Sequence, residues 1–264
     1  ARSWLGELDE ALEFYETARL ILDELGNEHS LAVSRKLAAQ VLMRRAEWEP
    51  ARGLIHEAMK FFERSGDEFK YAQMLHELGD LELRTKNLDA ARSLMRQALK
   101  VGREYQSHMA ISDCTSVLGD IARYRGDLDE AQKHHEEALQ SSHFLHAQRA
   151  VVPQINLAII QVERGNYEGA RWDFEFCLRQ AQKSGRRMIE GFIYILILPC
   201  LAAAELWERF DESIEAGEQI VEDLGIREQD LARAARLAGK LAQDAGQPER
   251  ARRAFGLADD QAGA

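Results

Sequence analysis

The six residues Gly126-Asp-Leu-Asp-Glu-Ala131 recur, with variations, along the whole chain. The other copies are Gly6-Glu-Leu-Asp-Glu-Ala11, Ala46-Glu-Trp-Glu-Pro-Ala51, Lys86-Asn-Leu-Asp-Ala-Ala91, Gly165-Asn-Tyr-Glu-Gly-Ala170, Glu208-Arg-Phe-Asp-Glu-Ser213 and Gly246-Gln-Pro-Glu-Arg-Ala251. Neighbouring copies lie 38 to 43 residues apart. Such a spacing indicates a structural unit of about forty residues that is repeated along the chain.

Each copy has the features of a joint between two helices. Gly126 can adopt the left-handed conformation that ends a helix. Asp127 and Glu130 have the spacing of a capping box at the start of the next helix, and Asn87 and Asn166 are expected to cap in the same way. We therefore predict a helix-turn-helix joint at every copy.

Small side chains stand seven residues after the last position of each joint except the sixth, which has Ile220; they are Ala18, Ala58, Ala98, Ala138, Cys177 and Ala258. Small residues at this spacing lie on one face of a helix and let a neighbouring helix approach closely. A second set of glycines, Gly26, Gly66, Gly185 and Gly225, falls where the second helix of a unit should end; the intervening slots, near Gln106 and His146, lack the glycine but keep the spacing.

The predicted fold is all-α, a single solenoid over residues 1–264 built from antiparallel helix pairs. The units are about 1–25 (partial), 26–66, 67–106, 107–145, 146–186, 187–227 and 228–264. We expect a helix over 8–25, with residues 1–5 as the end of its missing partner, and a kink at Pro199. The chain also lacks an initiator Met, so we expect it to be a piece of a longer protein.

Composition excludes several classes of function. The formal net charge is -11 and the pI is about 5.3, which disfavours binding to nucleic acid or anionic membrane. The longest apolar run, residues 192–204, is shorter than the roughly 20 residues of a membrane span. The 3 cysteines have neither metal-ligand nor disulfide spacing, so we expect reduced thiols in a cytoplasmic protein.

Motifs for catalysis are lacking in the sequence. It has no glycine-rich phosphate loop, no Gly-x-Ser-x-Gly elbow and no His-Glu-x-x-His motif. The densest group of potential ligands is His134-His-Glu-Glu137, but adjacent helical residues point about 100° apart, so at most two could share a metal. We predict a solvated helix surface there, and a protein with no catalytic residues, metal or cofactor.

The chain resembles tetratricopeptide repeats over nearly its whole length. The resemblance rests on the pairs Leu78-Gly79 and Leu118-Gly119, the Gly-x-Leu-x-x-Ala joints and the small residue seven positions later. The usual period is 34 residues, so this chain is more similar to the long-helix arrays of kinesin light chains, LGN-type polarity adaptors and bacterial regulator tails. The resemblance implies a right-handed superhelix, a concave groove lined by first helices, and a peptide or protein ligand.

Family geometry then implies which residues would contact a partner. The polar part of the predicted wall consists of Lys36, Arg44, His76, Asp80, Arg84, Asp120, Arg123 and Tyr124. Its cations would hold acidic ligand groups, or else pair with Asp80, Asp113 and Asp120. The apolar part consists of Val152, Ile155, Ile159, Val162, Ile195 and Leu198. These residues would form a pocket for an amphipathic helix or extended peptide, or else belong to the core.

This fold predicts a non-enzymatic scaffold that binds a peptide or partner protein in its groove. We expect the scaffold to be part of a larger signalling or regulatory protein. One alternative is a self-assembling structural module, with a homodimer formed through exposed end helices. Another is the sensor tail of a kinase or transcription regulator.

Overall fold

A computed structural model describes residues 2–145 and 149–262, with side chains from residue 8 onward except that of His143. Within these ranges the secondary structure is helical and contains no strand. The all-α class expected from the sequence is therefore confirmed. Two compact units, Arg2–Leu145 and His146–Ala264, are distinguished by their internal packing and are described separately.

In the first unit, each helix packs against the next along the chain, as expected for stacked hairpins with short loops. Its helices are α1 (Arg2–Glu24), α2 (Glu28–Arg44), α3 (Trp48–Ser65), α4 (Glu68–Arg84), α5 (Leu88–Glu104), α6 (His108–Tyr124) and α7 (Leu128–His143). The first helices of successive hairpins also touch, α2 against α4 and α4 against α6. They therefore form a layer of their own within this unit.

In the second unit, helix pairs again pack in sequence. Its helices are α8 (Val151–Glu163), α9 (Tyr167–Lys183), α10 (Arg187–Leu196), α11 (Leu198–Ala203), α12 (Trp207–Asp223), α13 (Gln229–Asp244) and α14 (Pro248–Ala262). One core joins side chains of all seven helices, with Phe174, Phe210 and Ile214 fully buried. The expected break at Pro199 is present between α10 and α11, because proline has no N–H to donate to Ile195 and its ring crowds that carbonyl.

The joints have the expected left-handed residues. Gly126, Gly165 and Gly246 have positive φ, and at two other joints Ala46 (φ 58) and Lys86 (φ 64) adopt the same conformation without being glycine. At the fourth joint the amide of Asp127 donates to the carbonyl of Ala122 at 3.0 Å, the bond that closes a helix C-terminus in this conformation.

Two of the three predicted caps are confirmed. Asp127 accepts from the amide of Glu130 at 2.9 Å, and Asn166 accepts from that of Gly169 at 3.2 Å. The prediction for Asn87 is wrong, because its side chain makes no capping bond. It donates instead to Oε2 of Glu82 at 2.9 Å, a buried carboxylate that also pairs with Arg52.

The sixth joint begins three residues earlier than the sequence pattern suggested. The left-handed residue is Glu205 (φ 53), forty residues after Gly165, and α12 begins at Trp207, before the predicted joint starts at Glu208. Phe210 thus takes the position of the usual joint alanine and is fully buried. The small residue seven positions later is Gly217, whose Cβ would lie 2.8 Å from Ile195, so the apparent exception at Ile220 disappears.

The amino-terminal prediction also needs correction. Residues 2–24 form one continuous helix that passes through Gly6, so residues 2–5 are not a separate partner helix. Gly6 here lies inside a helix and does not end one. Glycine lowers helix stability but does not prevent a helix whose other residues favour it.

Candidate functional site

An open groove of about 450 Å³ lies in the first unit, against the layer of first helices. This is the size of pocket that holds small ligands or a few side chains. Its lining comes mainly from α2, α4 and α6, together with Ala98 and Gly102 of α5. The larger side chains that line it are Lys36, Gln40, Met43, Arg44, Phe69, Gln73, His76, Glu77, Asp80, Arg84, Met109 and Asp113. We call it the α2–α4–α6 groove.

The groove contains a buried carboxylate, Glu77 of α4, which is 7% exposed. Two side chains of α2 hold it. Nε2 of Gln40 donates to its Oε1 at 2.7 Å, and Nζ of Lys36 lies 3.4 Å from the same oxygen. A charge at this depth is tolerated only when it is paired and hydrogen-bonded, so these contacts fix α2 and α4 in register along the groove.

The other carboxylates of the groove also have partners within the chain. Nε of Arg84 donates to Oδ2 of Asp80 at 3.0 Å, one helical turn away, and Asp113 makes a polar contact as well. The sequence left open whether the cations of the wall bind a ligand or pair with carboxylates of the chain, and the contact of Arg84 with Asp80 is a pair of the second kind. Arg44, at the carboxyl-terminal end of α2, is exposed and lines the same groove.

Apolar side chains form the rest of the lining. Met43 is buried, Met109 is partly exposed, and Phe69 packs beside the ring of Tyr105 with centroids 5.4 Å apart. Phe69 and Met109 were absent from the predicted wall. They lie four residues before Gln73 and Asp113, so extending the predicted face by one helical turn would have found both.

The predicted polar residues divide into two groups. Lys36, Arg44, His76, Asp80 and Arg84 come together in the α2–α4–α6 groove. Asp120, Arg123 and Tyr124 are not among its lining residues. Arg123 is buried at the end of α6, with its guanidinium 4.7 Å from the Tyr124 ring centroid and Nη2 3.9 Å from Oδ1 of Asp120.

The predicted apolar residues lie in the second unit, and five of the six are core residues. Ile195 and Leu198 are completely buried, and Ile155, Ile159 and Val162 belong to the same core. These five residues therefore follow the alternative in which the apolar residues belong to the core and do not line a pocket. Val152, at 41% exposure, is the one member facing outward. The sequence could not separate core from wall, because a buried helix is apolar on both faces.

The prediction of a solvated surface at residues 134–137 is wrong for His135, which is fully buried. Its Nε2 lies 3.5 Å from Oδ1 of Asp120. Burial, with the nearby Arg123 charge, lowers the pKa of His135 to about 3, so the ring is neutral at ordinary pH. In the described part of the chain no group of three or more His, Cys, Asp or Glu residues is arranged to hold a metal.

All three cysteines are buried. Burial raises the pKa of Cys114, Cys177 and Cys200 to about 12. Because the thiolate is the reactive form, these side chains behave as small apolar residues.

Comparison with known proteins agrees with the architecture. Residues 70–142 match the family model described as tetratricopeptide repeat. This match covers the α4–α7 region, in which the Leu-Gly pairs and the most regular joints lie. No curated protein matches the sequence.

Several solved structures are similar in fold. The apo form of RapI has a TM-score of 0.74 at 14% identity, over 97% of this chain and 92% of RapI. A Rap protein complexed with competence and sporulation factor has a TM-score of 0.75 at 16% identity, over 98% of this chain and 72% of that one. The Rap conjugation gene regulator of plasmid pLS20, in complex with the Phr* peptide, has a TM-score of 0.73 at 17% identity, over 98% and 71%.

At such identities the similarity shows the fold alone. The chain is a helical-repeat protein of the tetratricopeptide type, in the α-α superhelix class. Within the residues that the structure describes, no helix is both long enough and apolar enough to cross a membrane.

Proposed function

We propose that the chain is a non-catalytic scaffold that binds a peptide segment of a partner protein in the α2–α4–α6 groove. The observation that carries the proposal is the groove itself, which combines an apolar lining with polar groups fixed by Gln40, Lys36 and Glu77. Such a combination is typical of ligand sites, in which apolar contact supplies affinity and a few polar groups supply orientation.

The solved structures of similar fold support this proposal. One is complexed with competence and sporulation factor and another with the Phr* peptide, so a peptide ligand is compatible with this fold. We propose further that the chain belongs to the subclass with a period near forty residues, that residues 1–264 act as one right-handed solenoid, and that it works in the cytoplasm without a cofactor.

The setting we propose is a larger signalling or regulatory protein, in which this array is the part that recognises a partner. A kinase or transcription regulator with this chain as its sensor tail fits the same chemistry. The acidic composition, with a net charge of -11, supports a protein or peptide partner over nucleic acid.

A substitution that fills the groove with a large side chain tests the proposal. Gln73, which lines the groove, is replaced by Trp, and Gln97, exposed on α5 outside it, is replaced by Trp as the matched control. Binding is measured by fluorescence anisotropy with a degenerate pool of fluorescein-labelled, amidated pentapeptides. We expect saturable binding to the wild type and to Gln97→Trp, and a loss of about tenfold or more in Gln73→Trp. Equal binding by the two variants would place the site elsewhere.

Self-association is a second candidate, favoured by one observation. Phe14 and Leu25 of the α1 region are 75% and 72% exposed, and Ile21 is exposed on the same helical face. Apolar residues grouped on one exposed face are typical of protein interfaces. We propose α1 as the surface through which a homodimer would form.

A further inference from the structure

The ligand chemistry of the α2–α4–α6 groove follows from its charges. Three cations (Lys36, Arg44, Arg84) and three carboxylates (Glu77, Asp80, Asp113) line it. Lys36 is paired with Glu77, Arg84 is paired with Asp80, and Asp113 has its own polar contact. The three carboxylates are therefore engaged within the chain, and a cationic ligand would have to compete for them.

Arg44 differs from the other cations of the groove, because none of the described residues forms an ion pair or hydrogen bond with it. Its neighbour Arg45 is not among the lining residues and pairs with Asp9 and with Glu47, the latter at 2.6 Å. Every other arginine with a described side chain in Arg2–Leu145 also has a carboxylate within 4.0 Å. Arg44 is thus the exception in a unit in which arginine pairing is the rule, and it lies in the groove.

Apolar side chains near Arg44 indicate that its ligand must also carry an apolar group. Met43 precedes it on α2, and Phe69 and Met109 contribute apolar surface to the same groove. A guanidinium binds a carboxylate through two parallel hydrogen bonds, which fix orientation as well as charge. A ligand that suits this surface carries an acidic group close to an apolar side chain.

We propose that the α2–α4–α6 groove selects peptides with an acidic side chain next to an apolar one, and that Arg44 binds the carboxylate. This inference rests on the proposed function and adds the class of peptide. It assigns Arg44 a role in specificity, while Glu77, Lys36 and Gln40 maintain the shape of the groove.

Two matched pools of labelled, amidated pentapeptides test the inference. Both contain a fixed leucine, followed in one pool by Glu and in the other by Gln, so that the carboxylate is the only systematic difference. Binding is measured at low ionic strength, where charge contributes most. We expect the wild type to bind the Glu pool about tenfold more tightly, since a charged hydrogen bond contributes at least that factor.

Two variants of Arg44 and one control complete the experiment. Arg44→Gln should lose the preference for Glu, and Arg44→Glu should favour Gln, whereas Arg96→Gln, exposed on α5 outside the groove, should behave as the wild type. Circular dichroism confirms that each variant is folded. Equal binding of both pools by the wild type, or a preference for Glu that survives in Arg44→Gln, would overturn the inference and leave the proposed function standing. No binding of either pool by a wild type that still binds the degenerate pool would also overturn the inference, whereas no binding of any of the three pools would overturn the proposed function itself.

Discussion

His135 occupies a position that is apolar in neighbouring repeats. Ile55, Met95, Phe174 and Ile214 stand four residues after the end of their joints, as His135 does, and all are fully buried. The glycine of the Leu-Gly pair makes room for this side chain, since a Cβ on Gly79 would lie 2.8 Å from Met95 and one on Gly119 would lie 2.5 Å from His135. Neither ring nitrogen of His135 has a hydrogen-bond partner among the described residues.

Replacing His135 by Met should stabilise the protein. Met95 shows that methionine fits against the corresponding glycine, and a buried polar group without a hydrogen bond costs about 1–3 kcal/mol. We expect the free energy of unfolding at pH 7.5 to rise by about 1–2 kcal/mol, measured by urea denaturation.

The same substitution should change the dependence of stability on pH. Burial lowers the pKa of His135 from 6.5 to about 3 in the folded state, so the unfolded chain binds a proton that the folded chain does not. The wild type should therefore lose stability as pH falls from about 6.5 towards 3, by at most about 1.4 kcal/mol per pH unit. The advantage of His135→Met should be larger at pH 5 than at pH 7.5, and an advantage equal at both pH values would contradict the burial of a neutral ring.

At the scale of the helices, several helix ends have residues other than glycine at a backbone conformation that favours glycine. Lys86 has φ 64, and Ala46, Gln106 and Glu205 are also left-handed. A side chain in this conformation costs roughly 1 kcal/mol relative to glycine. The array therefore retains unrelieved strain at several helix ends.

Lys86→Gly should relieve one of these strained joints. We expect the free energy of unfolding to rise by about 0.5–1 kcal/mol, measured by urea denaturation. The reverse change at the next joint, Gly126→Lys, should lower it by a similar amount, because a Cβ there meets nothing within 4 Å and only the backbone conformation is affected. A destabilised Lys86→Gly variant would show that the lysine side chain contributes more than the strain.

The helices were the most predictable part of this protein. Signals such as the Asp127 cap and the glycine at 165 depend on short-range effects, and these can be recognised without tertiary information. The cap predicted at Asn87 does not form, because its side chain donates a hydrogen bond to the buried carboxylate of Glu82 instead. The sixth joint was misplaced because Phe210 replaces alanine there, and only the packing against Ile195 identifies Gly217 as the small residue.

At the scale of the whole molecule, the site was less predictable than the fold. Repeat geometry brought Lys36, Arg44, His76, Asp80 and Arg84 together in one groove, since equivalent positions of stacked helices must be neighbours. Repeat geometry could not show which of these cations are already paired with carboxylates of the same chain. That depends on side-chain pairs such as Lys36 with Glu77, and these are visible only in three dimensions.

Self-association through α1 is also a property of the whole molecule. Phe14→Glu would place a charge in the exposed apolar face, and Met188→Glu, exposed on α10, is the control. If α1 forms a homodimer, light scattering should give the mass of a dimer for the wild type and the control, and of a monomer for Phe14→Glu. A wild type that remains monomeric at high concentration would remove this alternative.

Methionine methyl NMR tests the central claim, that the α2–α4–α6 groove binds a peptide, most directly. Met43 and Met109 line the groove, whereas Met188 is exposed in the second unit. Titration of a chain labelled at its methionine methyls with the unlabelled Glu pool should shift the Met43 and Met109 signals in a saturable way and leave Met188 unchanged. Shifts confined to Met188, or no shift at Met43 and Met109 while the peptides bind, would contradict the claim.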